Sequence, residues 1–356
     1  MFEETINCIP LSQQLKGMKK VLVTGGAGFI GSHTVVELHE AGYTPVIVDN
    51  FCNSHPDVLD GIATILGHSP IHHNIDCTDE QAMRGVFAKE GPFVGVIHFA
   101  AFKAVGASVN DPLSYYRNNV HATEILLRIM SELDCTNLVF SSSCTVYGQP
   151  KQLPVTEQTA FQHANSPYGY TKQVCERIIQ DVVAAPSSAT SAVLLRYFNP
   201  IGAHPSGAIG ELPIGVPENL IPYITQTAAG KRKEIVIFGD DYETSDGTCV
   251  RDYIHVVDLA KAHVAALHWL TGKSNVCDSF NLGTGEGNTV KEVIDTFVEA
   301  TGTQVPHRIG DRRPGDVEKI WASATKAQEE LGWKTTLSLK TALIDAWNWQ
   351  QKLEEQ

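Results

Sequence analysis

The residues best suited to chemistry are a serine run that ends one predicted strand and a tyrosine–lysine pair in the next predicted helix. Ser141, Ser142 and Ser143 are consecutive, while Tyr168 and Lys172 are four positions apart and share one helix face. An adjacent ammonium typically lowers the pKa of a phenol by roughly 1–3. The pattern predicts that Tyr168 acts as a general acid–base beside Lys172 while Ser143 holds the reacting oxygen. Taken alone, a Tyr-x-x-x-Lys spacing also describes an ordinary surface pair.

A glycine motif precedes this cluster and indicates where a nucleotide would bind. Gly25, Gly28 and Gly31 follow a predicted strand and open an apolar helix, an arrangement that lets backbone N–H groups approach a pyrophosphate. Asp49 ends the next predicted strand, where a carboxylate accepts hydrogen bonds from a ribose 2′-hydroxyl and repels a 2′-phosphate. Asn50 beside it supplies no cation. The motif therefore predicts NAD rather than NADP, and a tight packing turn with a surface aspartate is the structural alternative.

The elements that must position these residues alternate between short apolar strands and helices. Strands are predicted at 21–24, 45–48, 71–75, 94–99, 138–142 and 192–198. Helices are predicted between them, near 30–41, 57–67, 79–89, 112–133 and 167–184. This alternation predicts an α/β fold of the Rossmann type, with a doubly wound parallel sheet that binds ligands at the carboxyl ends of its strands.

The pattern changes after Phe198, because residues 199–218 are rich in proline and glycine and too irregular for regular elements. Further on, helices are predicted near 219–230, 256–271, 289–301 and 338–351, with strands at 235–238 and 278–282. We therefore predict an N-terminal tail over 1–18 and a NAD-binding Rossmann domain over 19–198. Residues 199–356 are predicted to form mainly a smaller α/β substrate domain, a division that allows the chain to cross back.

The composition disfavours some classes of binding partner. The 356-residue chain has 27 basic and 40 acidic residues and a net charge of −13, which disfavours nucleic acid and anionic membranes. No apolar run reaches the roughly 18 residues of a membrane span, and the acidic N-terminal residues do not resemble a secretory leader. The eight cysteines include no Cys-x-x-Cys spacing. We expect free thiols in a reducing compartment and hence a cytoplasmic protein.

Segments spread over residues 19–350 carry a resemblance that is far more specific than the glycine motif. The chain resembles the extended short-chain dehydrogenase/reductase family and, within it, the UDP-glucose (UDP-galactose) 4-epimerases. The matching segments are TGGAGFIGSH (24–33), VDNFCNS (48–54), VIHFAAFKAVGAS (96–108), FSSSCTVYG (140–148), SPYGYTK (166–172), LRYFNPIGAHPSG (195–207), GVPENLIPYI (215–224), DGTCVRDYIHV (246–256), FNLGTGEGNTV (280–290) and RRPGDVEKIWA (312–322).

The resemblance implies a NAD site formed by the residues at the family's cofactor positions. These are Gly25, Gly28, Phe29, Ile30, Gly31, Asp49, Asn50, Phe51, Cys52, Asn53, Ser54, Asp76, Cys77, Phe99, Ala100, Ala101, Phe102, Lys103, Asn118, Ser143, Tyr168, Lys172 and Phe198. Asp49 to Ser54 would hold the adenosine ribose, and Asp76 and Cys77 would border the adenine. Lys103 would reach the pyrophosphate region, and Phe198 would lie near the nicotinamide.

The resemblance also implies a UDP-sugar site. Its residues are Lys103, Ser143, Tyr168, Asn199, Asn219, Leu220, Arg251, Arg313, Asp316 and Ile320. Arg251 and Arg313 suit a diphosphate because guanidinium groups bind phosphate oxygens in a bidentate manner, although a surface ion pair is the alternative for both. Ile320 matches the family's gate position and is intermediate between the small residue that admits N-acetylated sugars and the bulky aromatic that excludes them. We therefore expect non-acetylated sugars to be preferred.

The reaction implied by the resemblance is C4 epimerisation between UDP-galactose and UDP-glucose through a transient 4-keto sugar. Tyr168, Lys172 and Ser143 would be catalytic, NAD would be tightly held, and a homodimer would form through helices such as 112–133 and 167–184. The alternatives are a 4-epimerase for another UDP-sugar, such as UDP-N-acetylglucosamine or a UDP-pentose, a net dehydrogenase, a 4,6-dehydratase and a non-catalytic subunit. A dehydratase needs a carboxylate beside the serine, whereas Cys144 and Thr145 follow Ser143.

Two further patterns are predicted to have no direct role in chemistry. Gly283, Gly285 and Gly287 could form a second dinucleotide loop, but no matching carboxylate ends a following strand, so a turn is predicted. His72 and His73 point to opposite faces of a strand and make a poor metal pair. No metal site is predicted.

Overall fold

A central parallel sheet organises the molecule. The computed structural model describes residues 19–313 and 316–355, so the tail predicted over residues 1–18 lies outside the described residues. The strands are β1 (Lys19–Thr24), β2 (Tyr43–Asp49), β3 (Ile71–Asn74), β4 (Gly95–His98), β5 (Asn137–Ser143), β6 (Ser191–Tyr197), β7 (Asn199–Ile201), β8 (Ile235–Phe238), β9 (Val250–Arg251), β10 (Tyr253–His255), β11 (Cys277–Leu282), β12 (Asn288–Thr289), β13 (His307–Gly310) and β14 (Lys319–Ile320).

Helices cover both faces of this sheet and build a smaller second layer. They are α1 (Phe29–Glu40), α2 (Val58–Leu66), α3 (Glu80–Glu90), α4 (Val105–Asn110), α5 (Pro112–Tyr115), α6 (Ala122–Glu132), α7 (Pro167–Ala184), α8 (Leu220–Ala228), α9 (Val256–Leu270), α10 (Val290–Thr301), α11 (Thr325–Leu331) and α12 (Leu339–Glu354). Within the described ranges, no helix is both long and apolar enough to cross a membrane.

The strand order places the glycine motif where the winding of the sheet reverses. Seven strands pair in the order β3-β2-β1-β4-β5-β6-β11, and every pair is parallel. The chain moves outward from β1 to β3 and then returns to the other side of β1 as β4. Open α/β sheets bind ligands in the crevice outside the carboxyl ends of the strands at this reversal. The predicted fold class is confirmed.

The helix predicted over 112–133 is interrupted. Asp111 caps α5, and Pro112 occupies its first turn, where a missing N–H is harmless. A π-helical segment over Tyr116–His121 then separates α5 from α6. Such segments are rare and often lie at functional sites. The sequence pattern predicted neither this interruption nor the preceding helix α4.

Two elements that follow residue 199 pack with the main sheet. Strand β11 is the seventh strand of the main sheet and pairs with β6, although its residues were predicted in the substrate domain. Helix α9 buries Leu259 and Leu267 in the same core as Val35 and Val36 of α1. The chain therefore returns to the layer of the main sheet, because these apolar faces are buried against that sheet and against α1.

The rest of the C-terminal half forms the smaller layer. Its strands pair as β7 with β10, β8 with β13, and β9 between β12 and β14. A separate core under α8, α10 and α12 includes Ile221, Phe297 and Leu343. This layer faces the carboxyl ends of the main strands, because β6 leads directly into β7.

Candidate active site

The glycine loop forms a backbone cradle at the start of α1. Gly25 has a positive φ of 70° and donates its N–H to Val48 O over 2.7 Å. A Cβ atom would lie 2.7 Å from Ala100 N at Gly25 and 2.2 Å from Gly25 O at Gly31, so both positions require glycine. Helix α1 begins after Gly28 without a side-chain cap, which leaves first-turn N–H groups for an anion. These residues fit a dinucleotide pyrophosphate.

Asp49 braces this cradle from the end of β2. Its carboxylate accepts hydrogen bonds from Ala27 N at 3.0 Å, Phe51 N at 2.9 Å and Ser54 Oγ at 3.0 Å. It thus joins the glycine loop to the 50–54 loop, where Phe51 adopts a positive φ of 57°. The carboxylate retains further acceptor capacity, because each oxygen has more than one lone pair. The predicted ribose-binding position is therefore beside the cradle.

The loops after β2 and β3 form the neighbouring edge of the crevice. Asn50 Nδ2 donates to Asp76 Oδ2 over 3.0 Å, and Thr78 donates to the other oxygen of Asp76 from its N–H and its hydroxyl. Burial raises the pKa of Asp76, but the hydrogen bonds from Thr78 and Asn50 outweigh it and hold that pKa below its usual range. Cys77 is buried, whereas Cys52 and Asn53 are exposed.

The segment 99–103 is held by a residue that sequence reasoning missed. Asn119 accepts from Phe102 N at 2.8 Å, donates to Phe102 O at 3.0 Å and donates to Thr171 Oγ1 at 3.1 Å. It is buried within the π-helical segment, and the predicted Asn118 donates to its side chain. Asn119 thus links segment 99–103, which follows β4, to α7. Only its adjacency to Asn118 could have indicated it.

Ser143, Tyr168 and Lys172 converge at the carboxyl end of β5. Ser143 ends this strand, and Tyr168 and Lys172 lie in the first two turns of α7, which begins after a Ser166 cap. The Ser143 side chain lies close enough to the Tyr168 phenol to act on its pKa. Lys172 Nζ donates to Ser141 O over 2.6 Å. The structure therefore brings the three predicted catalytic residues together.

Burial is the largest cause of the pKa shifts of Tyr168 and Lys172. It raises the pKa of Tyr168 to about 12, and the Ser143 side chain only partly opposes it. Burial also lowers the pKa of Lys172 to about 8, against the neighbouring Cys175 and Glu176. The expected lowering of the Tyr168 pKa by Lys172 is therefore wrong for the protein alone. Desolvation of the phenolate is the larger effect, and the ammonium is directed at a backbone carbonyl.

A buried ion pair lies one turn beyond Lys172. Glu176 accepts from Arg196 Nε at 2.9 Å and Nη2 at 2.6 Å, and from Ser142 Oγ at 2.5 Å. Arg196 also donates to Tyr147 OH at 3.0 Å. The side chains of Arg196 and Glu176 are 5% and 1% exposed. The pair ties α7 to β5 and β6 directly beneath the catalytic group.

The predicted arginines meet around one carboxylate. Arg313 binds Asp316 through Nε at 3.1 Å and Nη2 at 2.8 Å, and Arg251 Nη2 lies 3.9 Å from the same side chain. Ile320 pairs with Arg251 in the small sheet and is 4% exposed. It shares a cluster with Phe198, so the predicted gate lies beside the predicted nicotinamide contact. Both guanidinium groups therefore converge on Asp316.

Two other predicted substrate residues contact a carboxylate that was not predicted. Asn219 immediately precedes α8, which begins at Leu220, and Asn219 Nδ2 donates to Glu211 Oε1 over 2.5 Å. Lys103 Nζ lies 3.2 Å from the same oxygen. Asn199 begins β7 and donates its N–H to Asp252 O over 2.9 Å, without a contact to this group in the described ranges. Nothing in the local spacing around Glu211 indicated that it would contact two predicted substrate residues.

The second glycine-rich loop is filled by the protein itself. Asp252 accepts from Thr284 N at 2.8 Å, Gly285 N at 3.2 Å and Ala322 N at 3.1 Å. A Cβ atom on Gly283 would lie 2.4 Å from Asp252 Oδ2. The N–H groups of Thr284 and Gly285 thus bind Asp252 and are not free for a phosphate, which agrees with a turn. In residues 19–313 and 316–355, no group of three His, Cys, Asp or Glu side chains could hold a metal.

Comparison with known proteins places this geometry in a family. The sequence model of the GDP-mannose 4,6 dehydratase family matches residues 22–345. The UDP-glucose 4-epimerase of Mus musculus is 50% identical over 341 residues, which span 94% of this chain and 97% of that protein. The enzyme of Yersinia pestis is 50% identical over 332 residues, or 93% and 97% of the two chains.

The solved structures that resemble this chain also include UDP-glucose 4-epimerases. The UDP-glucose 4-epimerase of Bifidobacterium longum, in complex with NAD+ and UDP, has a TM-score of 0.90 and 48% identity, and the match covers 94% of this chain and 98% of that one. The enzyme of Stenotrophomonas maltophila, with bound NAD and formylated UDP-arabinopyranose, has a TM-score of 0.91 and 45% identity over 95% and 99% of the chains. The chain therefore belongs to the GDP-mannose 4,6 dehydratase family and, within it, to the UDP-glucose 4-epimerases.

Proposed function

We propose that this protein interconverts UDP-galactose and UDP-glucose by inverting C4 of the sugar, with NAD as its cofactor. The observation that carries the proposal is the convergence of Ser143, Tyr168 and Lys172 beside the glycine cradle, at the carboxyl edge of a parallel sheet. The relatives at about half identity over nearly the full chain support the same activity.

The chemistry of the protein's own residues follows from their positions. NAD, when bound, supplies a hydride acceptor and a positively charged ring. Tyr168 removes the proton of the sugar 4-hydroxyl while Ser143 holds that oxygen, and Tyr168 returns the proton once the 4-keto sugar has presented its other face. With a pKa of about 12 in the protein alone, Tyr168 needs added positive charge to act as a base. Because Lys172 is already present in the protein alone, the further charge would come from the nicotinamide ring.

The nucleotide end of the substrate needs a separate anchor, because the sugar must bind in two poses. We assign this role to Arg251 and Arg313, which converge on Asp316 and whose guanidinium groups can bind a diphosphate. Asn199, Asn219 and Leu220 would line the rest of the site. The substrate layer would then be the part of residues 199–355 that excludes α9 and β11.

A dehydratase activity is not favoured, although the matching family model carries that name. Dehydration requires an acid beside the catalytic serine to protonate a leaving hydroxide. Cys144 follows Ser143, and burial raises the pKa of its thiol to about 12. Thr145 comes next. The site therefore has no carboxylate in the position that this chemistry needs.

The proposed substrate is the non-acetylated sugar. Ile320 is buried against Phe198 and leaves less room than a small residue would for an N-acetyl group. We expect turnover of UDP-galactose to exceed that of UDP-N-acetylgalactosamine. Comparable rates would favour the second candidate, a 4-epimerase that also accepts N-acetylated UDP-sugars.

Homodimerisation and a cytoplasmic location are also proposed. Val109 and Leu113 are 60% and 77% exposed on α4 and α5, beside the helices predicted to form the interface, where a partner subunit would cover them. The seven cysteines of the described ranges are free, which supports a reducing compartment.

The first test supplies UDP-galactose to the purified protein without added NAD and measures UDP-glucose. We expect turnover, and we expect Tyr168→Phe to reduce kcat by about 10²–10⁴, the usual contribution of a general acid–base. Tyr43→Phe is the matched control, because Tyr43 begins β2 at the opposite edge of the sheet. Unchanged turnover in Tyr168→Phe would remove that residue from the mechanism, and the absence of UDP-glucose with or without NAD would refute the proposed function.

A further inference from the structure

One carboxylate contacts two residues that are predicted to bind the substrate. Glu211 Oε1 lies 3.2 Å from Lys103 Nζ, in the segment that follows β4, and 2.5 Å from Asn219 Nδ2, just before α8. The Glu211 side chain is 9% exposed, whereas that of Lys103 is 51% exposed. Glu211 is thus the buried centre of a contact between the nucleotide layer and the substrate layer.

The position of Glu211 is set by tight packing of its backbone. Its carbonyl oxygen accepts from Trp349 Nε1 at 3.1 Å. At the preceding Gly210, a Cβ atom would lie 2.4 Å from Trp349 Cδ1, closer than atoms can approach without a shift. Trp349 lies in α12. The backbone that carries the Glu211 carboxylate is therefore fixed against a helix of the substrate layer.

The chemistry of the carboxylate determines how its two partners are oriented. An ionised carboxylate only accepts hydrogen bonds, so Asn219 must direct its NH₂ group at Glu211. The carbonyl oxygen of the Asn219 amide then lies on the other side and is available to a hydroxyl donor. The same carboxylate restrains the Lys103 ammonium, which belongs to a long and otherwise half-exposed side chain.

We propose that Glu211 is a positioning residue of the UDP-sugar site. It orients the Asn219 amide so that its oxygen can accept a hydrogen bond. It also restrains the Lys103 ammonium before the nucleotide sugar binds. This inference rests on the proposed function and on the predicted assignment of Lys103 and Asn219 to the UDP-sugar site. Preorganisation of this kind lowers the entropy lost on binding, so Glu211 acts on affinity through its partners.

The test compares wild type with Glu211→Gln, which preserves size but replaces an acceptor by a group that also donates. We expect KM for UDP-galactose to rise about tenfold, as for loss of a hydrogen bond to a charged group, while kcat changes less than twofold. Glu211→Asp should recover part of the loss. In a double-mutant cycle with Lys103→Met, we expect the two effects to be less than multiplicative.

The matched control is the exposed pair Lys340–Glu299, which has the same separation of 3.2 Å. Lys340→Met and Glu299→Gln should leave KM unchanged, and unfolding midpoints report whether each variant is folded. A wild-type KM in folded Glu211→Gln, or a rise in KM that is independent of Lys103, would overturn the proposal. If wild type fails to turn over UDP-galactose, the proposed function fails. The cycle is then read from the calorimetric Kd for UDP-glucose, where weaker binding in Glu211→Gln supports Glu211 and equal binding overturns it.

Discussion

The buried Glu176–Arg196 pair gives the sharpest stability prediction, because it ties α7, the helix of Tyr168 and Lys172, to β5 and β6. Glu176→Gln keeps a hydrogen-bond acceptor for Ser142 but leaves the Arg196 guanidinium without a countercharge, at side-chain exposures of 5% for Arg196 and 1% for Glu176. Breaking a buried pair by removing one partner typically destabilises a protein by about 3–5 kcal/mol. We expect a loss of this size in the free energy of unfolding.

The expected shift in melting temperature follows from chain length. An unfolding entropy of about 2.1 cal/mol/K per residue over 356 residues amounts to roughly 0.75 kcal/mol/K. A loss of about 3–5 kcal/mol therefore lowers Tm by about 4–7 °C. Scanning calorimetry measures this shift, and turnover of UDP-galactose at 25 °C shows whether the displaced α7 still positions Tyr168.

The control is an exposed pair with similar chemistry. Arg84 and Glu132 have side chains that are 37% and 47% exposed, and exposed pairs contribute only about 0–1 kcal/mol. Glu132→Gln should therefore shift Tm by about 1 °C or less. The double variant Glu176→Leu with Arg196→Met, which removes both charges, should recover much of the stability lost in Glu176→Gln. Equal shifts in Glu176→Gln and Glu132→Gln would refute the reasoning.

Two further predictions concern the glycine cradle and the buried His98. Gly31→Ala would place a Cβ atom 2.2 Å from Gly25 O, so we expect the purified variant to lose bound NAD, measured by absorbance and by recovery of activity on adding NAD; full retention would contradict the close packing. Burial lowers the pKa of His98 to about 3, with Lys172 a smaller cause. Because the unfolded histidine titrates near 6.5, the unfolded state binds the extra proton between these values, and stability is lost as pH falls below about 6.5. His98→Asn should therefore reduce the slope of unfolding free energy against pH by about 1.4 kcal/mol per pH unit between about pH 4 and 6, and an unchanged slope in urea titrations would contradict this.

Much of the fold was predictable from local patterns. The run from β1 through Gly25 and Gly31 into α1, followed by Asp49, is contiguous enough for residue type and spacing to describe it. The six alternating apolar strands and the Tyr168–Lys172 spacing are also local signals. Each depends on one period, one turn or one helix face, and these are properties that neighbouring residues determine together.

Other features depended on contacts between distant parts of the chain. Strand β11 lies next to β6 because its apolar face is buried there, and no local pattern specifies that partner. Glu211 meets Lys103 across 108 positions, and Glu176 meets Arg196 across 20. A single acidic residue in the sequence carries no sign of the cation that it will bind.

The catalytic group shows the same division. Its residue types and their order along the chain were evident from the sequence, and the family resemblance assigned their roles. The direction of the Tyr168 pKa was not evident, because it depends on how much water the folded protein excludes from the phenol. The sequence by itself thus determined the residue types of the catalytic group and their spacing along the chain. Only the tertiary structure decided their burial, their partners and hence their protonation, since desolvation is a property of the packed molecule.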